Sequence, residues 1–230
     1  MRVKDYQKLS RIQSSCRHIN KYGLVLYCPL WHPGLSGTTF YSRDAYMNTC
    51  TVTGATYSYL GRTYDGVDDY IDHEYHLSSS QNFTINVWVN ATAPTEGKTS
   101  SIMSFLTASV RGIGIDIPDN GKAVFIMREA GGTSSSVSST VSIAGSWHML
   151  TATYNTDTNT MEFFVDGVSM GTRAGKVVLT SSLDRIGSNY VVSGAGEYFG
   201  GTIGEVEVYS KTLTQSQITQ DYNATKWRYQ

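Results

Sequence analysis

Carboxylates pose the first chemical question in this sequence. Tyr64-Asp-Gly-Val-Asp-Asp-Tyr-Ile71 gathers Asp65, Asp68 and Asp69 around one glycine, between aromatic and β-branched residues. Calcium takes six to eight oxygens from carboxylates and backbone carbonyls, and these three aspartates together with Glu205 could supply several. There is a second reading of the same residues. Asp beside Gly accepts hydrogen bonds from turn N–H groups, so Asp65 and Asp68 would shape a tight turn at Gly66. No EF-hand-like ladder of ligands accompanies them, so the cation role open to them is structural calcium, and no other cofactor is implied.

Hydrolytic chemistry finds less support. A retaining glycanase needs two carboxylates about 5 Å apart on a cleft face. Glu205-Val-Glu207 puts two on one face of a strand, about 6.5–7 Å apart along the chain. Asp116-Ile-Pro-Asp119 is bent out of a regular strand by Pro118. The histidines His18, His32, His73, His76 and His148 show no zinc spacing, and no serine sits in a nucleophile elbow. The sequence reads as non-catalytic. A binding role needs aromatics in loops beside amides and carboxylates. Trp31, Tyr57, Tyr59, Tyr190 and Tyr198, with Asp119 and Asn189, are the candidate rim of such a site. Trp88 and Trp147 fall inside strand patterns and read as core.

The elements that must position these residues are mostly strands. In residues 1–22, Tyr6, Leu9, Ile12, Cys16, Ile19 and Tyr22 recur at helical spacing, and Gly23 follows as a stop. This arm is an amphipathic helix with a narrow apolar stripe. Its residues Tyr6, Leu9, Ile12, Ile19 and Tyr22 are assigned to docking on a partner or to oligomerisation. From Gly23 the period becomes two. Leu24–Trp31 reads as a strand that Pro29 pushes to a sheet edge. Phe83–Val89 alternates Phe83, Ile85, Val87 and Val89 against Thr84, Asn86 and Trp88. Asp119-Asn-Gly121 joins two strands as a hairpin turn. The run Gly131-Gly-Thr-Ser-Ser-Ser136 reads as a mobile loop, and the strands around Asn155–Asn159 and Asp166-Gly167 as a meander. Thr214 with Gln217 forms a capping box, and Leu213 with Ile218 a hydrophobic staple, so a short C-terminal helix follows.

Composition agrees. The chain has 230 residues, 40% of them hydrophobic and only 16% charged, with 16 tyrosines and four prolines. That is strand-and-turn usage in a chain able to bury one sizeable core. The net charge of −1 gives no field favouring nucleic acid, but it is unevenly spread: the arm carries +5 and the rest −6. No apolar run is long enough to span a membrane, and no signal-peptide core follows Met1. Cys16, Cys28 and Cys50 are too few for a disulfide scaffold. Cys28 and Cys50 could pair in an exported protein and otherwise read as reduced packing residues.

The order of several blocks carries a resemblance. Asp65-Gly-Val-Asp-Asp-Tyr-Ile71, Phe83-Thr-Ile-Asn-Val-Trp88, Gly145-Ser-Trp-His148 with Thr151-Ala-Thr-Tyr154, Phe164-Val-Asp-Gly167, Arg185-Ile-Gly187, Tyr198-Phe-Gly-Gly-Thr-Ile203 and Val206-Glu-Val-Tyr209 before Leu213 resemble laminin G-like, concanavalin A-like lectin/glucanase jelly rolls. The resemblance spans about residues 23–224, and the front section is similar to versions encoded in phage and prokaryotic genomes. It implies an all-β domain over residues 23–230: two stacked antiparallel sheets, one convex and one concave. Some members of the family bind glycans, many carry structural calcium and related ones hydrolyse β-glucans, so fold alone does not choose. The resulting expectation is a binding module on a virion, as head decoration, fibre or appendage subunit. It would be docked through residues 1–22 on a capsid or tail protein or on copies of itself, and released by host lysis. The alternatives are a lectin of the cell surface or extracellular space, binding cell-surface glycan, and more distantly a β-glucanase.

Overall fold

The computed structural model describes residues 21–106, 112–129, 132–176, 181–189 and 197–230. The arm residues Tyr6, Leu9, Ile12 and Ile19, and the rim candidate Tyr190, lie outside them. Sixteen strands, numbered in chain order, form two eight-stranded antiparallel sheets. The first runs β14 (Val168–Ala174), β13 (Thr160–Val165), β12 (Trp147–Asn155), β7 (Phe83–Ala91), β16 (Gly200–Tyr209), β5 (Gly61–Asp65) and β4 (Thr56–Ser58). There β1 (Leu24–Pro29) takes the other half of β16's free side, pairing with nothing else, as Pro29 requires of an edge. The second runs β11 (Ser134–Ser138), β10 (Val124–Arg128), β9 (Gly112–Pro118), β8 (Thr99–Leu106), β15 (Leu183–Ile186), β6 (Tyr70–His73), β3 (Thr49–Thr53) and β2 (Thr39–Tyr41).

Alternation along each strand builds the core between the sheets. Across the second sheet, Val52, Ile71, Ile186, Met103, Ile115, Phe125 and Val137 stand opposite one another in consecutive strands, and every one is buried. From the first sheet, Phe83, Ile85, Val87, Val89, Ile203, Val206 and Val208 meet them. One expected loop is a strand. The serine run does not stay irregular but pairs as β11 from Ser134 to Ser138 opposite Arg128 to Val124. Ser has low strand propensity, and here it rides on the register of its partner, so tertiary pairing overrides it.

The other face of the first sheet is also covered. The C-terminal helix α1 (Gln215–Thr225) begins with the expected box: Thr214 Oγ1 accepts from Gln217 N–H, and Gln217 Oε1 from Thr214 N–H. Its staple partners Leu213 and Ile218 are both buried, in a second cluster with Trp88, Met149, Phe164, Tyr209 and Tyr229. Trp88 is therefore buried under the helix and not between the sheets, and it donates from Nε1 to Thr225 Oγ1 at 2.9 Å. Tyr229 packs against Trp88 and Trp147 with ring centroids 4.6 Å away in each case, contacts worth about 0.5–1.5 kcal/mol apiece beyond area burial. Of the arm, Tyr22 is exposed, its ring 4.9 Å beneath Lys211 Nζ.

Candidate functional site

The face of the first sheet under the helix holds a buried cluster of charged residues, Glu205, Glu207 and Asp221. Residues 205, 207 and 209 of β16 point there, opposite the core-facing Val206 and Val208. The Glu205 carboxylate, 2% exposed, accepts from Tyr27 Oη at 2.9 Å, Trp31 Nε1 at 3.2 Å, Arg228 Nη1 at 3.1 Å and Tyr229 Oη at 3.4 Å. Burial pushes its pKa above the usual carboxylate range; Arg228 and the hydroxyl and indole donors only partly offset that. Glu207 accepts from Asn86 Nδ2 and Tyr209 Oη, and is pushed up strongly, first by burial and then by the charges of Glu205 and Asp221. The cavity that Glu205, Glu207, Asp221, Asn86, Trp88, Met149 and Thr225 line measures about 10 Å³. That holds about one water and no sugar ring. This cluster locks the C-terminus onto the sheet, with the Arg228 guanidinium stacked 3.6 Å over Trp31.

Two readings of the sequence are corrected by this arrangement. Glu205 does not join Asp65, Asp68 and Asp69. Gly200 of β16 pairs with Asp65, so Glu205 lies five residues further along, about 16 Å away. Trp31 is not a loop-rim aromatic; its indole is spent on Glu205, and Tyr57 donates from Oη to the Trp31 carbonyl.

The three aspartates do come together, each offering an oxygen within 4.8 Å of the others. Part of that set is already engaged. Asp65 Oδ1 accepts from Val67 N–H, and Asp69 Oδ2 from Asp65 N–H. Gly66 at the turn has φ of +81°, and Gly54 has φ of +73° and lies against Asp69, whose carboxylate a Cβ there would displace. The donor chemistry fits calcium, with the remaining oxygens to come from carbonyls or water.

A third constellation has the connectivity of a Ser-His-Asp triad. His148 Nδ1 bonds Asp166 Oδ2 at 2.7 Å, and His148 Nε2 bonds Ser146 Oγ at 2.9 Å. Asp166 Oδ1 also accepts from Met149 N–H, and Asp166 sits at φ of +53° in the β13–β14 turn. Ser146 is exposed, and a Cβ on the preceding Gly145 would meet nothing within 4 Å. These bonds tie the start of β12 to a neighbouring turn.

The outer face of the second sheet differs in kind. Thr39, Thr51, Asp72, Arg185, Ser104, Gly114, Ile126 and Ser136 stand opposite one another across all eight strands, and seven of the eight are polar or glycine. Arg185 Nε donates to Asp72 Oδ1 at 2.8 Å while its guanidinium lies 3.8 Å over the Tyr70 ring. Beside this row, Asp116 on β9 accepts from Ser101 Oγ at 2.8 Å, and burial pushes its pKa up to about 6, with Glu197 raising it and Arg128 opposing. Glu197 is itself raised by burial and accepts from Asn189 Nδ2. Asn189 is 5% exposed, yet its Oδ1 has no hydrogen-bond donor among the described residues. Ser104 Oγ donates to the Ser188 carbonyl, fixing the segment that carries Asn189. Carboxylates that accept, a guanidinium that donates and an amide that does both are the groups that hold a polyhydroxyl ligand.

The rim expected from the sequence is thus divided. Asn189 belongs to this face, and Tyr198 forms a bridge to Ser188 next to it. Asp119 is exposed in the β9–β10 turn and accepts from Gly97 N–H. Tyr57 and the 80%-exposed Tyr59 lie on the β4–β5 hairpin of the other sheet. Sequence reasoning weighed Asp116 only as half of a hydrolytic pair with Asp119, met Arg185 only within a family-like block, and missed Arg128 and Glu197. The alternation Gly112-Ile-Gly-Ile-Asp-Ile117 already put Asp116 on the face opposite the core, but Glu197 is 81 positions away and no local spacing pairs them.

Comparison with known proteins agrees with this architecture. The family model described as "Concanavalin A-like lectin/glucanases superfamily" matches residues 65–219. No curated protein sequence matches the chain. Among solved structures, the ligand binding domain of botulinum neurotoxin serotype D in complex with N-acetylneuraminic acid is similar at 14% identity over 90% of this chain and 52% of that one, TM-score 0.69. The binding domain of Paraclostridial Mosquitocidal Protein 1 is similar at 13% identity over 89% and 52%, TM-score 0.68. A Trypanosoma rangeli sialidase mutant displaying trans-sialidase activity is similar at 15% over 99% and 40%, TM-score 0.73. The chain spans about half the length of the toxin domains, and at these identities the likeness is one of fold.

Proposed function

The chain belongs to the concanavalin A-like lectin/glucanase superfamily, and we propose that it is a non-catalytic binding module that holds a glycan on the outer face of its second sheet. The observation that carries this reading is the polar row from Thr39 to Ser136, exposed at Thr39, Thr51 and Asp72 and buried at Ser104 and Gly114, with the buried Asp116 and Asn189 and with Arg128 and Glu197 beside it. Two of the similar solved structures are named as binding domains, one of them in complex with N-acetylneuraminic acid. With two carboxylates against one guanidinium, the Asp116 cluster suits neutral sugar hydroxyls better than a carboxylated sugar.

The proposed setting is a virion, with residues 1–22 docking the domain on a capsid or tail protein or on its own copies. The basic amphipathic arm and the similarity of the front section to phage-encoded versions support it; a free lectin of the cell surface is the alternative. Deleting residues 1–22 should leave a folded domain that no longer assembles, and assembly that survives deletion would remove the arm's role. Calcium at Asp65, Asp68 and Asp69 is proposed as structural. It predicts a Tm that rises with added calcium and falls back with chelator.

The test of the central reading is a glycan array probed with wild type, Asp116→Asn and Arg185→Ala, with and without chelator. Binding to a defined set of sugars that both variants lose supports it; silence on every sugar counts against it. A second reading has one observation in its favour: Asp116, titrating near 6 beside Glu197, has the raised pKa of a general acid. Sugar release from an oligosaccharide, abolished by Asp116→Asn and Glu197→Gln alike, would make the module an enzyme.

A further inference from the structure

Two thiols meet in the middle of the sandwich. Cys28 comes from β1 of the first sheet and Cys50 from β3 of the second, both are fully buried in the same core cluster, and their Sγ atoms lie 3.8 Å apart. Both are free cysteines. Each sits in a side-chain row aimed across the gap, since Cys28 stands opposite the core residue Val206 and Cys50 opposite His73 and Phe40. They are 22 residues apart in sequence, and nothing else covalent joins the two sheets there except the intervening chain. A disulfide needs its sulfurs at about 2.05 Å, so an approach of about 1.8 Å closes the bond. Rotation of two side chains with a small slide of an edge strand supplies such a movement. β1 is that strand: among the described residues its one strand partner is β16, and its other edge is held by three separate bonds, from Arg43 N–H to the Tyr27 carbonyl, from Tyr27 N–H to Asp44 Oδ2 and from Asn48 Nδ2 to the Val25 carbonyl.

From this geometry we infer that Cys28 and Cys50 form an inter-sheet disulfide when the protein meets an oxidising thiol–disulfide environment, stapling β1 to the second sheet. The oxidant is a low-molecular-weight disulfide such as oxidised glutathione. One cysteine thiolate attacks it, forms a mixed disulfide and releases one thiol. The second cysteine thiolate then displaces the other thiol, so that two protein thiols become one disulfide and one oxidant disulfide becomes two thiols. In the closed fold this step is slow, because neither sulfur is accessible and the Cys28 thiol is pushed well up by its bond to Cys50 and by burial. Exchange therefore runs before the sandwich closes or when β1 opens, and the finished bond is shielded from reductants by the same packing. A protein acting outside a reducing cytosol gains most from it.

The experiment uses the full chain carrying Cys16→Ser, so that only the two core thiols remain. It is refolded in a glutathione redox buffer, quenched with acid, denatured and alkylated with N-ethylmaleimide. The expected product has no alkyl adduct, a mass 2 Da below the dithiol form (about 1 Da per hydrogen lost), and a linked peptide pair in a non-reducing digest. Its Tm should lie roughly 5–10 °C above that of the reduced protein, given the size of the closed loop. The Cys28→Ala/Cys50→Ala protein should show no redox-dependent Tm. Two adducts after oxidative refolding, a glutathione adduct on either cysteine without the internal link, or a redox response that survives the double alanine change would each overturn the inference.

Discussion

Replacing Arg228 by methionine isolates the ion pair that fastens the C-terminus to the first sheet. Methionine keeps most of the aliphatic stem over Trp31 and removes the charge. The Glu205 carboxylate then stays 2% exposed with only the neutral donors Tyr27, Trp31 and Tyr229. Stranding one partner of a buried pair costs about 3–5 kcal/mol. Three neutral donors soften that here, and Glu205 has an escape by taking up a proton. We therefore expect a loss of about 2–4 kcal/mol at pH 8, a fall in Tm of roughly 5–15 °C for a domain of this size. The pH dependence follows from the sign of the shift. Burial holds the folded-state pKa of Glu205 above its unfolded value, so its protonated form stabilises at low pH and that contribution is lost as pH rises through the folded pKa. Removing Arg228 raises that pKa further. The variant should lose more stability than wild type on going from pH 5 to pH 8, so its penalty is smaller at pH 5 than at pH 8. Urea unfolding of both proteins at the two pH values measures this. A penalty equal at both, or below about 1 kcal/mol at pH 8, would refute the claim that Glu205 is a buried charge held by Arg228.

Other outcomes follow from the same geometry. Glu207→Gln keeps an acceptor for Asn86 and Tyr209, so its stability relative to wild type should rise from pH 5 to pH 9, because the unfolded wild type ionises a carboxyl that burial keeps protonated in the fold. A relative stability that falls over that range would contradict that assignment. Gly54→Ala should lower stability by about 2 kcal/mol or more, because its Cβ displaces Asp69 and its φ is +73°; Gly66→Ala, at φ +81° with only ordinary contacts, should cost less, and equal costs in thermal melts would deny Asp69 its place in the turn. Asp166→Ala should lower Tm without altering any ester hydrolysis, and Ser146→Ala should change neither. A rate of p-nitrophenyl ester cleavage that falls with Ser146→Ala would show the triad to be chemical.

Much of the fold could be read in the sequence because period-two alternation and turn glycines are local. Phe83–Val89 announces its two faces, and Thr214 with Gln217 announces the helix. What periodicity does not reveal is which layer covers a face. Trp88 has the same alternating position whether it meets a sheet or α1, and only the helix, 127 residues onward at Gln215, decides. Pairing between distant segments is also silent, so the serine run of β11 passes for a loop until β10 supplies its register. The proposed binding face was the least legible. Aromatic loop residues attract attention in a sequence, yet Trp31 is consumed by Glu205, while Asp116, Arg185 and Glu197 converge only through strand order. The aspartate turn was legible as chemistry and as a turn alike, since both readings ask for oxygens around Gly66.

The central claim is that ligand sits on the outer face of the second sheet. Backbone amide NMR on the labelled protein, titrated with the best sugar from the array, tests it most directly. The account predicts shifts at Thr51, Asp72, Arg185, Ser104, Asp116 and Asn189, saturating together and abolished in Asp116→Asn. Shifts confined to α1 and the Glu205 cluster, or to the Tyr57–Tyr59 hairpin, would contradict it.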